Sequence, residues 1–158
     1  MTPTQWIAMT PTQWIASGGG IGRAPFAPGT VASLAAVLIG ALALWIDHRL
    51  LTLLAIFTCV IGTWAVHETG EQGDPGWIVI DEFAGQWIAM LGLGRVSVYG
   101  LIAAFVLFRL FDIVKFGPVG WADRKDGAIG VMADDVVAGL IAAAILFLAG
   151  ILFPTLIP

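Results

Sequence analysis

Residues 136–153 read VVAGLIAAAILFLAGILF, an apolar run of 18 residues without a charged side chain. A helix of about 20 apolar residues crosses the hydrocarbon core of a bilayer, so this run predicts a membrane helix. Four similar segments precede it, at residues 30–46, 50–66, 77–93 and 98–114. The sequence therefore predicts an all-α fold, a polytopic membrane helical bundle of about five segments.

The composition supports a membrane protein and excludes several classes of function. Of the 158 residues, 59% are hydrophobic and 11% are charged, whereas soluble domains carry about 25% charged residues. The net charge of −4 argues against binding of nucleic acid, which needs a basic surface. The single cysteine, Cys59, excludes a disulfide framework and a zinc cluster.

The length suggests one domain, which we place at residues 21–158. Residues 1–8 and 9–16 repeat one octapeptide, MTPTQWIA. Because eight residues are too few for a repeat architecture, we predict that residues 1–20 are a duplicated N-terminal extension that bears no fold.

Small residues recur every four positions in three of the segments. The sets are Ala32, Ala36 and Gly40, then Gly85 and Ala89, then Gly139 and Ala143. Such stripes let helix backbones approach each other in lipid, so they predict close packing, although an alanine-rich composition would produce them too.

The charged residues divide between the two sides of the predicted bundle. Five crossings place the N-terminal loop and the loops 67–76 and 115–135 on one side. Ten of the 11 acidic residues and five of the seven basic residues lie on that side. By the positive-inside rule, this side faces the cytoplasm.

An acidic pair lies within the third segment, whose residues 74–87 read DPGWIVIDEFAGQW. We expect the helix to begin near Pro75, which places Asp81 and Glu82 about two turns inside it. A carboxylate within a membrane segment is costly, and it marks a functional site by default.

A second acidic pair, Asp134 and Asp135, opens the fifth segment in the stretch MADDVVAG. One interpretation is an N-cap and a first-turn acid, which the helix dipole favours. The other is that this pair joins Asp81 and Glu82, because both pairs lie on the same side.

The fourth segment ends FRLFDIVK, which spaces Arg109, Asp112 and Lys115 by three residues along one helix face. The pattern fits a structural ion pair between Arg109 and Asp112. It also fits Asp112 on a metal with Arg109 or Lys115 on a phosphate.

The loop before the first segment reads SGGGIGRAPFAPGT and lacks the lysine of a P-loop. Its Gly29 and Thr30 can present free helix-start amides to an anion, or the loop is only a flexible entry. His67 is a structural boundary residue or a general acid.

The acids together form an all-oxygen ligand set, which suits Mg²⁺, Mn²⁺ or Ca²⁺. Mg²⁺ commonly combines one or two carboxylates with substrate phosphates, so phosphate chemistry is the first hypothesis. The alternative is a cation- or proton-coupled transporter, because carboxylates within a membrane also mark ion paths.

Four stretches in order, PGTVAS, IVIDEFAGQW, FRLFDIVK and GAIGVMADDVVAG, resemble the bacterial phosphatidylglycerophosphatase A family. The resemblance covers residues 20–145 or so. It implies a Mg²⁺-dependent phosphatase of the bacterial inner membrane that converts phosphatidylglycerophosphate to phosphatidylglycerol in phospholipid biosynthesis.

The resemblance also implies roles for single residues. Asp81, Glu82, Asp134 and Asp135 would be metal ligands, and Asp112 a ligand or a base. The phosphate would lie against Arg109, Lys115, Gly29 and Thr30. The sequence gives neither the number of metal ions nor the oligomeric state.

Overall fold

A computed structural model describes residues 9–71, 75–155 and 157. Within these residues all regular secondary structure is helical, with seven α-helices and a short 3₁₀ turn at Ile21–Arg23. The helices are α1 (Pro11–Ala16), α2 (Pro28–Ile46), α3 (His48–Thr69), α4 (Ile80–Met90), α5 (Val98–Val114), α6 (Pro118–Asp123) and α7 (Gly127–Leu152).

Three of these helices, α2, α3 and α7, are long and apolar enough to cross a membrane. Helix α5 has 17 residues, just short of that length, and α4 has only 11. The predicted count of five membrane segments is therefore not confirmed in the described part of the chain. The long helices expose large apolar side chains, which fits a transmembrane protein; examples are Leu38, Trp45, Phe57, Phe147 and Leu148.

Helix α4 is the core of the bundle. It packs against α2, α3, α5 and α7, and residues 83–90 are all buried. At 1.5 Å per residue α4 is about 16 Å long, so the neighbouring helices surround it over its whole length.

The start of α4 differs from the sequence prediction. The chain turns at Pro75, where Ile78 N donates to Pro75 O, and Val79 N then donates to Ala16 O at 2.9 Å. These bonds keep residues 78–79 out of the helix, which begins at Ile80. Asp81 and Glu82 are thus first-turn residues. The prediction that they lie about two turns inside the helix is wrong. Asp74, the predicted cap, lies outside the described residues.

Helix α7 begins earlier than predicted, at Gly127. Met132, in its second turn, lies in one apolar cluster with Val66 of α3, and Asp134 and Asp135 lie about two turns inside α7. The cap and first-turn interpretation of this pair is therefore wrong.

The structure describes residues 9–20 of the predicted N-terminal extension. Helix α1 begins with a capping box between Thr10 and Gln13 and packs against α3. Ala16 and Ser17 are wholly buried, and Ala16 supports the start of α4 through Val79. Residues 10–20 therefore belong to the fold, while the first octapeptide copy lies outside the described residues.

The small-residue stripes are packing positions, as predicted. Ala32 and Ala36 are wholly buried, and Ala36 O accepts a hydrogen bond of 2.8 Å from Trp87 Nε1. A Cβ atom added at Gly139 would collide with the backbone of Gly85. Helices α4 and α7 therefore touch backbone to backbone at these two glycines.

The substitution Gly139→Ala tests this contact. The added methyl group meets backbone that has no rotamer to change, so the helices must separate, at a cost of about 1–3 kcal/mol. We expect a lower denaturation midpoint in detergent. Gly76→Ala is the control, because nothing lies within 4 Å of a Cβ at exposed Gly76. Equal midpoints for the two variants would contradict the contact.

Candidate active site

Five acidic residues from three helices meet at one end of the bundle. Asp81, Glu82 and Asp135 can bring one carboxylate oxygen each within 4.8 Å of one another. Asp112, Asp134 and Asp135 can do the same. We call these the α4 group and the α5 group; Asp135 belongs to both. The structure thus brings together all the acids that the sequence singled out as catalytic or metal-binding.

The cluster is largely withdrawn from solvent. Asp81, Asp134 and Asp135 are 5%, 5% and 3% exposed, and the side chains of Glu82 and Asp112 are 15% and 13% exposed. The positive end of the α4 dipole favours the negative charge of Asp81 and Glu82. Asp134 and Asp135 lie too far along α7 for such help, so they depend on neighbouring charges.

Arg109 supplies one of those charges. Its Nη1 lies 2.6 Å from Asp112 Oδ2 and 3.8 Å from Glu82 Oε1. The i,i+3 ion pair that the sequence suggested is therefore present, and it extends across to α4. One guanidinium holds acids of both groups in place.

Lys115 supplies the second charge, at the end of α5. Its Nζ donates to Asp134 Oδ2 at 2.8 Å and also to Asp123 Oδ1. Burial by itself lowers the pKa of Lys115, but the bonds to Asp123 and Asp134 outweigh it and raise the pKa above the ordinary value. The ammonium group is therefore charged throughout the physiological pH range.

Negative charge remains in excess. Five carboxylates face two cations, and Glu82 Oε2 and Asp135 Oδ2 are buried without a hydrogen-bond partner among the described residues. Unpaired buried charge is strongly unfavourable. A divalent cation with a preference for oxygen ligands would neutralise it, so the residues present fit Mg²⁺.

The start of α2 reaches this cluster. A Cβ atom at Gly29 would collide with Glu82 Oε1 and lie 3.4 Å from Arg109 Nη1. Thr30 follows in the same turn, where backbone amides have no acceptor inside the helix. Gly29 therefore lies beside the carboxylates, at an anion-favouring helix start.

Arg23, from the loop before α2, and His67 lie away from the carboxylates. The Arg23 guanidinium stacks on Trp77, 4.2 Å from the ring centre. His67 is exposed at the end of α3, beside a mainly apolar groove that Trp64 and Ile129 help to line. It belongs to neither carboxylate group, so the geometry gives no support to His67 as a general acid.

Two residues that the sequence reasoning passed over lie at the site. Asp123, the last residue of α6, pairs with Lys115 and lines a polar cavity of about 260 Å³ next to Asp134. Gln86 is wholly buried one turn after Glu82, with no hydrogen-bond partner for its amide among the described residues. The i,i+4 spacing to Glu82 was the available signal for Gln86.

Comparisons with known proteins identify the family to which this chain belongs. Phosphatidylglycerophosphatase A of Escherichia coli (strain K12) is 39% identical over 139 residues, which cover 85% of this chain and 81% of the relative. The same-named protein of Haemophilus influenzae (strain Rd) is 36% identical over 137 residues, with 84% of both chains covered.

A third relative carries a different name. It is a putative phosphatidylinositol-3-phosphatase of Bacteroides thetaiotaomicron, 38% identical over 139 residues, which cover 78% of this chain and 84% of the relative. No solved structure matches this chain. The family model for phosphatidylglycerophosphatase A matches residues 14–150, nearly the whole described chain. This chain therefore belongs to the phosphatidylglycerophosphatase A family of phosphatases.

Proposed function

We propose that this protein removes the terminal phosphate of phosphatidylglycerophosphate, with Mg²⁺ as cofactor, to give phosphatidylglycerol for phospholipid biosynthesis. The observation that carries the proposal is the cluster of five carboxylates beside Arg109, at one end of an apolar bundle. Membership of the family and the names of two relatives support the substrate.

The carboxylates would hold the metal. Asp81, Glu82, Asp134 and Asp135 offer hard oxygen ligands, in two groups that share Asp135. Bound Mg²⁺ would supply charge neutralisation at the phosphoryl oxygens. Because the cluster is largely buried, water would screen these interactions only weakly.

The cations would hold the substrate phosphate. Arg109 can turn from Asp112 to the phosphate oxygens, since a guanidinium has five N–H donors. Lys115 uses two of its three donors on Asp123 and Asp134, which leaves one for the phosphate. Gly29 and Thr30 would add the first-turn amides of α2.

The reaction is hydrolysis of a phosphate monoester. The oxygen of a water molecule bonds to phosphorus while the bond from phosphorus to the glycerol oxygen breaks. When Arg109 moves to the phosphate, Asp112 is left free to accept the proton of the attacking water. Asp112 then gives this proton, directly or through water, to the leaving glycerol oxygen, which becomes the hydroxyl group of the product, and Asp112 returns to its ionised form.

The apolar helices suit a substrate that stays in the bilayer. The exposed apolar side chains of the long helices would face lipid, while the headgroup reaches the carboxylates at one end of the bundle. The excess of basic residues on that side supports a site that faces the cytoplasm, and the bacterial relatives support the inner membrane as its location.

An assay of Glu82→Gln tests the role of the cluster. Wild-type protein in detergent should release phosphate from phosphatidylglycerophosphate with Mg²⁺ and should stop when EDTA is added. Substitution of a residue that only hydrogen-bonds to a metal ligand lowers activity about 10–100-fold, so loss of a ligand itself should lower the rate of phosphate release more than about 100-fold.

The matched control is Glu68→Gln, because Glu68 is exposed at the end of α3 and belongs to neither carboxylate group. It should keep wild-type activity. Folded wild-type protein that releases no phosphate with Mg²⁺ present would refute the proposed reaction. Full activity of Glu82→Gln would refute the assignment of Glu82.

The substrate is tested by competition between two lipids. Phosphatidylglycerophosphate and phosphatidylinositol 3-phosphate are offered at equal concentration in mixed micelles, since one relative carries the name of an enzyme for the latter. We expect a higher kcat/KM for phosphatidylglycerophosphate. A preference for the inositol lipid would overturn the proposed substrate and leave the phosphatase assignment intact.

Gly29→Ala tests the position of the α2 start. The added methyl group must displace Glu82 Oε1 and press on Arg109, so the ligand set loses its geometry. We expect phosphatase activity to fall about 10–100-fold, as for disturbed ligand orientation, with an unchanged circular dichroism spectrum. Gly76→Ala makes the same change in open space, and equal activity of the two variants would refute the prediction.

A further inference from the structure

We propose that the cluster holds two divalent cations, with Asp135 as the carboxylate that bridges them. The inference rests on the proposed metal dependence and adds the number of ions, the ligands of each ion and the residue that joins them. One ion lies in the α4 group of Asp81, Glu82 and Asp135, and the other in the α5 group of Asp112, Asp134 and Asp135.

The spacing of the oxygens is the first support. In octahedral coordination at about 2.1 Å, ligand oxygens lie no more than about 4.2 Å apart. Oxygens within 4.8 Å of one another reach that spacing with shifts of a few tenths of an ångström, so each set suits a single ion. The five acids fall into two sets of this kind and not into one set. Asp135 is the member that they share.

The state of Asp135 is an independent observation. It is 3% exposed, and its Oδ2 has no hydrogen-bond partner among the described residues. A carboxylate has two oxygens and about four lone-pair sites, enough for one ion on each side. A buried carboxylate oxygen without a donor calls for a cation.

The two cationic side chains pair with the two acids of the α5 group other than Asp135. Arg109 lies 2.6 Å from Asp112 Oδ2, and Lys115 donates to Asp134 Oδ2 at 2.8 Å. Each contact uses one oxygen and leaves the other for an ion. Groups that pair with a metal-binding side chain fix its orientation. In this arrangement Asp112 is therefore a ligand of the second ion.

The charge balance favours two ions over one. With Asp123, which shares Lys115, six carboxylates face two cations, so a single divalent ion leaves the site negative and repels a phosphate dianion. Two divalent ions make the site neutral and remove this repulsion. Pairs of metal ions about 3.5–4 Å apart serve phosphoryl transfer by holding both the attacking and the leaving oxygen.

Electron paramagnetic resonance with Mn²⁺ tests the proposal without an activity measurement. The full-length protein in detergent is titrated with Mn²⁺, and bound ions are counted from the loss of the free Mn²⁺ signal. We expect two ions per chain and a spectrum broadened by spin coupling between them. Asp112→Asn should bind one ion fewer and show the uncoupled six-line spectrum.

Asp135→Asn should also lose the coupled spectrum, because the bridge is gone. The matched control is Asp126→Asn, since Asp126 is exposed, belongs to neither group and makes no cap bond at the start of α7. This variant should keep two coupled ions. Circular dichroism of every variant shows whether the fold is retained.

The outcomes separate this proposal from the proposed function. One uncoupled ion in the wild type, together with Mg²⁺-dependent phosphate release, overturns the pair of ions and leaves the reaction. Two coupled ions without hydrolysis of phosphatidylglycerophosphate support the pair and overturn the reaction. A coupled pair that survives in folded Asp112→Asn overturns the assignment of Asp112, and one that survives in folded Asp135→Asn overturns the bridge.

Discussion

The contact between Gly85 of α4 and Gly139 of α7 sets the geometry on which the rest of the site depends. A side chain on either glycine would collide with the facing helix. Gly85 lies one turn after Asp81, and Gly139 lies one turn after Asp135. Since residues four apart share a helix face, the distance that the glycines allow between the helices is also the distance between the acids.

The acids can be close because several sources of positive charge surround them. The dipole of α4 supports Asp81 and Glu82, and Arg109 and Lys115 pair with acids of α4, α5 and α7. These charges balance only part of the cluster. The negative charge that remains is the physical basis for the proposed binding of divalent cations and of the phosphate that they would attract.

The short length of α4 makes an enclosed site possible within an apolar bundle. Four longer or equally apolar helices surround it, and its first turn lies beside the start of α2 and the end of α5. The ends of these three helices thus converge where the carboxylates lie. A helix that began near Pro75, as the sequence predicts, would have carried Asp81 and Glu82 about two turns into the bundle, away from the end where Lys115 and Asp123 lie.

The sequence by itself determined the apolar helices, the acids and basic residues that matter, and the small residues where helices touch, because these depend on composition and on local spacing. Only the tertiary structure decided where α4 and α7 begin. As a result, the depths of the two acidic pairs in their helices are the reverse of those predicted: Asp81 and Glu82 lie in a first turn, and Asp134 and Asp135 lie about two turns inside a helix. The bond from Val79 to Ala16 and the packing of residues 127–135 cause this reversal. Both involve residues distant in sequence, as does the sharing of Asp135 by two ligand groups, and no local pattern encodes such contacts.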